Sequence, residues 1–338
     1  MTDMKEILFS LSDSYGIGKI DDASKKAEEV LKKYAECSRH GNLTVVGLLK
    51  GESDYTLMLD AHIDEVGFIV TDVSDEGFLT VAKCGGIDLR ALAARRVIIH
   101  GKQKVTGVFC STPPHLASGE VEYIDIAQQK IDTALGQKAK EIISVGDYVT
   151  FCTHPADLLG DRVTGKALDD RAGVAVLLEL AKRLSGKKLP VNVAIVLSDM
   201  EEIGLRGSKI ATFGISPDEA VAVDVSFGNA PDVAPNESGK LSDGAMIGIS
   251  PILDRAVSEK LIALAKENNI KHQLEVMGGR TGTNSDEISM SKSGVRTGLV
   301  SIPQRNMHTD AEVVDLEDMQ SVCDILYEYV MAGGVKND

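Results

Sequence analysis

The sequence predicts an α/β fold, a mostly parallel sheet flanked by helices, with a small β-rich domain inserted into it. Three observations lead there. Short apolar runs at 55–59, 191–197, 220–223 and 297–302 read as buried strands, continuous rather than alternating, as in a sheet covered on both faces. Stretches with helical periodicity lie between them. From about Gly67 to Gly160 the texture changes to short β-like runs separated by turn residues. The implied division is 1–66 with 161–338 for the α/β unit and 67–160 for the insert.

In chain order, Ile20, Ala23, Ala27, Val30, Leu31 and Tyr34 recur at helical spacing, and 42–49 reads as a strand. The run 55–59 follows and leads into Asp60-Ala61-His62-Ile63-Asp64-Glu65-Val66-Gly67. Within the insert, strands are expected at 68–73, 78–82, 96–100, 105–109 and 148–151, and a helix over 127–142. Breakers at Gly85-Gly86, Pro113-Pro114 and Gly146-Asp147 separate them. A strongly apolar helix is predicted over 170–184, carrying Val174, Leu177, Leu178, Ala181 and Leu184. The strand 191–197 runs into Glu201-Glu202, and 220–223 runs into Asp224. An amphipathic helix is expected over 252–267. The strand 297–302 leads through a short loop to His308. A final helix starts at the N-cap Asp315, with Glu317 and Asp318 matched to its dipole, and buries Val322, Ile325, Leu326 and Tyr329.

Composition narrows the function. A net charge of −15 opposes general nucleic-acid binding, which needs a basic face, and favours attraction of cations. No run reaches the roughly 18 apolar residues of a membrane helix, and no basic segment followed by an apolar run marks a signal peptide. Cys37, Cys84, Cys110, Cys152 and Cys323 are scattered, without a C-x-x-C pair. They read as buried thiols of a reducing, cytoplasmic compartment.

The chemistry is concentrated where strands end. Such sheets bind ligands at the carboxyl ends of their strands. There the sequence puts His62 and Asp64, Glu201 and Glu202, Asp224 and His308, with Asp169-Asp170 just before a long helix. Singly, each has a plain reading: an ordinary histidine, an N-cap pair, a solvated loop, a turn residue. Jointly they form a nitrogen–oxygen ligand set suited to zinc, cobalt or manganese. His40, His100, His115, His154 and His272 do not follow the pattern and read as structural or surface residues. A G-x-S-x-G elbow, a P-loop, a dinucleotide fingerprint and an H-E-x-x-H helix are all absent. The glycine-rich 278–283 segment reads as a substrate-side loop.

Several motifs together carry a resemblance. They are 61–67 (A-H-I-D-E-V-G), 165–173 (G-K-A-L-D-D-R-A-G), 201–207 (E-E-I-G-L-R-G), Val223-Asp224, Ile302-Pro303 through His308-Thr309, and 111–116 (S-T-P-P-H-L) in the insert. In this order they resemble the tetrahedral aminopeptidases of clan MH, which include glutamyl and deblocking aminopeptidases and relatives once labelled endoglucanase or cellulase M. The resemblance implies a peptidase domain interrupted by a dimerisation domain, dimers assembled into a dodecamer, and peptide substrates cleaved at the N-terminus. It implies two divalent ions per subunit, zinc or cobalt with manganese as a third choice. Their ligands would be His62, Asp169, Glu202, Asp224 and His308, with Asp169 bridging. Glu201 matches the general base and Asp64 the carboxylate that orients His62. A cis peptide is implied between Asp169 and Asp170. Arg280, Thr281 and Asn284 are the expected substrate-binding residues. Two departures stand out: Thr283-Asn284-Ser285 replaces the usual Thr-Asp-Ala, and the 13–21 loop lacks the usual Pro-Ser-Gly or Gly-x-Glu pattern. A dinuclear amidohydrolase acting on acyl amides would use the same ligands. A glycoside hydrolase would need two carboxylates flanking a sugar bond, and a scaffold protein would be expected to have lost a ligand or Glu201.

Overall fold

The computed structural model describes residues 2–41, 43–116, 125–231 and 233–335. Its centre is an eight-stranded sheet. Across it the strands run His272–Val276, Ala245–Ile249, Arg296–Gln304, Glu219–Phe227, Thr56–His62, Asn192–Ser198, Thr44–Leu49 and Glu36–His40. The four neighbouring strands in the middle, Arg296–Gln304 to Asn192–Ser198, are mutually parallel, as the continuous apolar runs require. The outer strands Thr44–Leu49 and Glu36–His40 are antiparallel additions.

The apolar helix Leu168–Leu184 explains itself by position. It lies against the sheet, with the helices Thr2–Ser12, Asp22–Leu31 and Leu316–Ala332 packed on it. A helix enclosed on every side is apolar nearly all round, and Val174, Leu177, Leu180 and Leu184 are fully buried in the main core. The other face of the sheet carries the Arg206–Ile215 and Ser285–Ile288 helices over a smaller core of Met58, Val196, Ala222 and Leu299.

Residues 67–151 contain a closed six-stranded barrel: Gly67–Val73, Phe78–Cys84, Arg96–His100, Lys104–Phe109, Ile131–Asp132 and Tyr148–Phe151. It has its own core, in which Phe68 meets Phe109 and Phe151 edge-on at 5.0 and 5.8 Å.

Some expectations fail locally. The 127–142 segment is not one helix. It is a short turn at Ile126–Gln128, the strand Ile131–Asp132 and a single helical turn at Ala139–Ile142. Ile131 closes the barrel by pairing with both Leu79 and Phe109, and Ala134 (φ 54°) and Gly136 (φ 55°) turn the chain away from helical geometry. The 42–49 strand is Thr44–Leu49, and Asn42 lies outside the described residues. The helix expected over 252–267 begins at Arg255, capped by Asp254. Of the five free cysteines only Cys323 is buried, and Cys110 is exposed. No helix among the described residues is long and apolar enough to cross a membrane.

Candidate metal centre

Each ligand candidate arrives by a different element. His62 ends its strand, in register with Ser198. Asp224 lies within Glu219–Phe227, opposite Ser301. Asp169 heads the long helix, where the backbone is not yet helical (φ −77°, ψ 108°), and its peptide bond to Asp170 is cis, as the resemblance implies. Glu201 and Glu202 follow the Asn192–Ser198 strand, and His308 sits in the loop after Arg296–Gln304.

These side chains converge. His62 Nε2 lies 3.0 Å from Asp169 Oδ1 and 3.8 Å from Asp224 Oδ1. His308 Nε2 lies 3.2 Å from Asp169 Oδ2 and 3.4 Å from Glu202 Oε1. Asp169 therefore offers one oxygen to each histidine, and two ligand groups form, His62–Asp169–Asp224 and Asp169–Glu202–His308. Tetrahedral zinc with bonds of about 2.0–2.1 Å keeps its ligand atoms roughly 3.3 Å apart, so the donor spacing fits an ion in each group. The tautomer fits as well. His308 Nδ1 donates to the Gly86 carbonyl at 2.5 Å, so Nε2, facing the carboxylates, is the ring nitrogen that would bind an ion once its proton is lost.

The electrostatics point the same way. Burial pushes the carboxyls of Asp224 and Glu202 well above the ordinary range, Asp224 further through Asp170 and Glu202 through Asp169. Burial also lifts Glu201 to about 7, against the attraction of His62. Burial opposes charge on His308, but its hydrogen bond to Asp169 and the nearby Glu202 outweigh that and raise it to about 10. For His62 burial again works against charge, while Asp169 and Asp64 hold the imidazole well above its usual value. The cluster thus gathers several buried carboxyls around two histidines, a setting that favours cations.

The supports around these residues were less visible in the sequence. Asp64 lies 3.5 Å from His62 Nδ1, too long for a hydrogen bond. Its oxygens instead accept the backbone N–H of Glu201 (3.0 Å) and Glu202 (3.2 Å), fastening the twin-acid loop to the His62 segment. Glu312, buried, accepts the N–H of Asp169 at 3.1 Å and of His308 at 2.9 Å. The sequence reading missed it, although an acid opening the apolar strand Glu312–Asp315 was a signal. Beneath the site Glu65 is held by Lys166 and Arg171, each at 2.8 Å, and Arg171 donates to the carbonyls of Leu11 and Ser14. That buried network ties the first helix to the segments carrying His62 and Asp169. Ala167 (φ 54°), Met200 (φ 58°), Leu205 (φ 56°) and His308 (φ 60°) are non-glycine residues in the left-handed region, and all lie in or beside ligand loops.

The cluster opens into a cleft of about 860 Å³. Arg280 and Thr281 line it. Asn284 does not. It is buried behind the wall, donating to Asp60 and Ser198 and accepting from Ser208, each at 2.8 Å. Its departure from the family pattern alters an internal network, not a surface that meets substrate. Elsewhere, His100 bonds Thr150 in the barrel and His154 pairs with Asp13, outside the cluster.

Known proteins resemble this chain along most of its length. The lysyl aminopeptidase of Pyrococcus furiosus is 28% identical over 87% of this chain and 86% of its own. Among solved structures, aminopeptidase APDkam598 of Desulfurococcus kamchatkensis superposes with a TM-score of 0.92 at 32% identity, covering 98% of this chain and 95% of its own. The TET1 peptidase of Pyrococcus horikoshii, which assembles into a tetrahedron or a large octahedral shell, gives 0.86 at 29% identity, covering 97% and 99%. A family profile described as M42 glutamyl aminopeptidase matches residues 41–325. The chain belongs to the M42 glutamyl aminopeptidase family, and its function is that of a metal-dependent aminopeptidase.

Proposed function

We propose that this aminopeptidase is dinuclear, with His62, Asp169 and Asp224 holding one divalent ion and Asp169, Glu202 and His308 the other. The observation that carries the reading is the division of Asp169, one oxygen facing each histidine. Zinc or cobalt suits this donor set best, and manganese is a third choice. When bound, the ions polarise the scissile carbonyl and make a water acidic near neutral pH.

The remaining work belongs to the chain. Glu201 lines the cleft and forms neither of the two ligand groups, so its carboxylate is free to take the attacking water's proton and pass it to the leaving amine. Asp64 fixes Glu201 through its backbone N–H. Glu312 holds the backbones of Asp169 and His308, and the Gly86 carbonyl sets the His308 ring. The substrate's free amine belongs beside this acid cluster, which limits cleavage to the first peptide bond.

Residues 1–66 and 161–338 would form the catalytic domain. Residues 67–160, centred on the barrel, would form a dimerisation domain from which a dodecamer is built in the cytoplasm. The TET1 peptidase, similar along nearly the whole chain, supports such assembly. The barrel would also brace the site, since Arg95 and Thr153 both reach Asp310 beside the His308 loop.

Activity on aminoacyl and N-acyl amino acid substrates, before and after chelation, tests the proposal. Chelation should abolish aminoacyl cleavage, zinc, cobalt or manganese should restore it, and N-acyl substrates should remain intact. Full activity in metal-free protein, or preference for N-acyl substrates, would overturn it.

A further inference from the structure

The cleft wall beyond Asp224 carries an acid that the proposed chemistry does not use. Glu275 lies on the edge strand His272–Val276, in register with Gly248. Further along that neighbouring strand Met246 is opposite Ser301, and Ser301 is opposite Asp224. Residues paired across a sheet share a face, as do residues two apart along a strand. Glu275, Gly248, Met246, Ser301, Asp224 and Ser226 therefore look out on the same side. Gly248 has no side chain to obstruct the crossing. The Glu275 side chain passes over its neighbouring strand and accepts hydrogen bonds from Ser301 Oγ (2.8 Å) and from Ser226 Oγ.

This places a recessed carboxylate within hydrogen-bond distance of Ser301, which pairs with Asp224 across the sheet at a strand spacing of roughly 4.8 Å, and of Ser226, two residues along the strand from Asp224. That is within reach of an extended side chain on a substrate whose first carbonyl lies at the metal cluster. Two neutral hydroxyls are its only hydrogen-bond partners among the described residues, and it takes part in no ion pair there. A carboxylate offers about four acceptor positions, so two remain open. Burial raises its pKa, against the two serine hydrogen bonds, as expected of an acid lacking a cation. Met246 and Met277 line the same cleft on the same face and would pack the methylenes of a long side chain. Among the described residues Arg280 is the only lysine or arginine lining the cleft, and its Nε donates to Asp286 at 3.1 Å. An acidic substrate residue would meet a cation that already has a carboxylate partner in Asp286. A basic one would meet an open anion.

We propose that Glu275 is a specificity residue, selecting peptides whose N-terminal residue is lysine or arginine by pairing with the cationic end of that side chain. This rests on the aminopeptidase reading. Family membership does not decide it, since the family profile is named for glutamyl and one relative for lysyl substrates.

The test is kcat/KM of the zinc- or cobalt-loaded full-length protein on lysyl, arginyl, norleucyl and glutamyl p-nitroanilides. Norleucine keeps the lysine stem and lacks its charge. The lysyl substrate should exceed the norleucyl one by roughly tenfold or more, the discrimination expected when a charge-bonding site meets a substrate lacking the charge. Glu275→Gln, which keeps shape and can keep the serine contacts, should lower lysyl and arginyl turnover about 10–100-fold. Norleucyl turnover should stay within about threefold, so that the ratio collapses. Wild-type protein that cleaves norleucyl as well as lysyl substrate would overturn the proposal without recourse to a variant. So would a Glu275→Gln protein in which both rates fall equally. If the loaded wild-type protein cleaves none of the four, the aminopeptidase reading fails, and this inference with it.

Discussion

The two halves of the proposed metal centre are built from different material. The His62–Asp224 half stands on adjacent parallel strands of the central sheet, and both side chains are buried. The Glu202–His308 half stands on loops, and the His308 side chain is 28% exposed. Strand-borne ligands inherit their geometry from the sheet ladder. Loop-borne ligands need separate holding, and the structure supplies it through Asp64, Glu312 and the Gly86 carbonyl. The difference teaches that one half is set by the fold, while the other is set by a few hydrogen bonds that a single substitution can remove.

The largest expected effect separates the twin acids. Glu201→Gln should leave both halves loaded and lower turnover on the order of 10²–10⁴-fold, the usual cost of losing a general base. Glu202→Gln should weaken only the loop-borne ion, with activity partly rescued by excess metal. Metal analysis beside activity checks both. If Glu201→Gln loses metal while Glu202→Gln keeps it, the two roles are exchanged.

A smaller effect sharpens the contrast itself. Glu312→Gln removes the anion that holds the backbones of Asp169 and His308. Metal affinity of the loop-borne half should fall about 10–100-fold, in line with losing a support of ligand residues, while the strand-borne half changes less. Competitive chelator titrations resolve the two affinities, and equal weakening of both would break the comparison.

The smallest effect concerns pH. In the metal-free cluster His308 is raised to about 10, so at neutral pH it carries a proton that an incoming ion must displace. Because the metal binds the neutral ring, affinity at this half should rise with pH below that value, by at most about tenfold per pH unit for one displaced proton. Calorimetry in buffers of different ionisation enthalpy measures the proton release. Uptake without release would contradict the assignment.

Much of this was legible in the sequence, for a physical reason. Ligand residues that follow apolar strands announce themselves, because a parallel sheet brings the carboxyl ends of its central strands to one rim. The structure duly brings His62, Asp169, Glu201, Glu202, Asp224 and His308 together. Glu312, Gly86 and the true partners of Asp64 were not legible. Each works through a backbone group distant in sequence, and no local pattern encodes a carboxylate that accepts an N–H bond from a residue 143 positions away. Asn284 misled for the converse reason. Its place beside a glycine-rich loop suggested substrate contact, whereas its hydrogen bonds reach inward to Asp60 and Ser198. The 127–142 segment had helical composition, but closure of the barrel through Ile131 decided its conformation.

The most direct test is anomalous diffraction from crystals of the zinc-loaded protein, recorded at the zinc edge. The account predicts two peaks, one within reach of His62, Asp169 and Asp224, the other within reach of Asp169, Glu202 and His308. As zinc is progressively withdrawn, the peak beside His308 should fade first. A single peak, or two peaks that do not share Asp169, would contradict it.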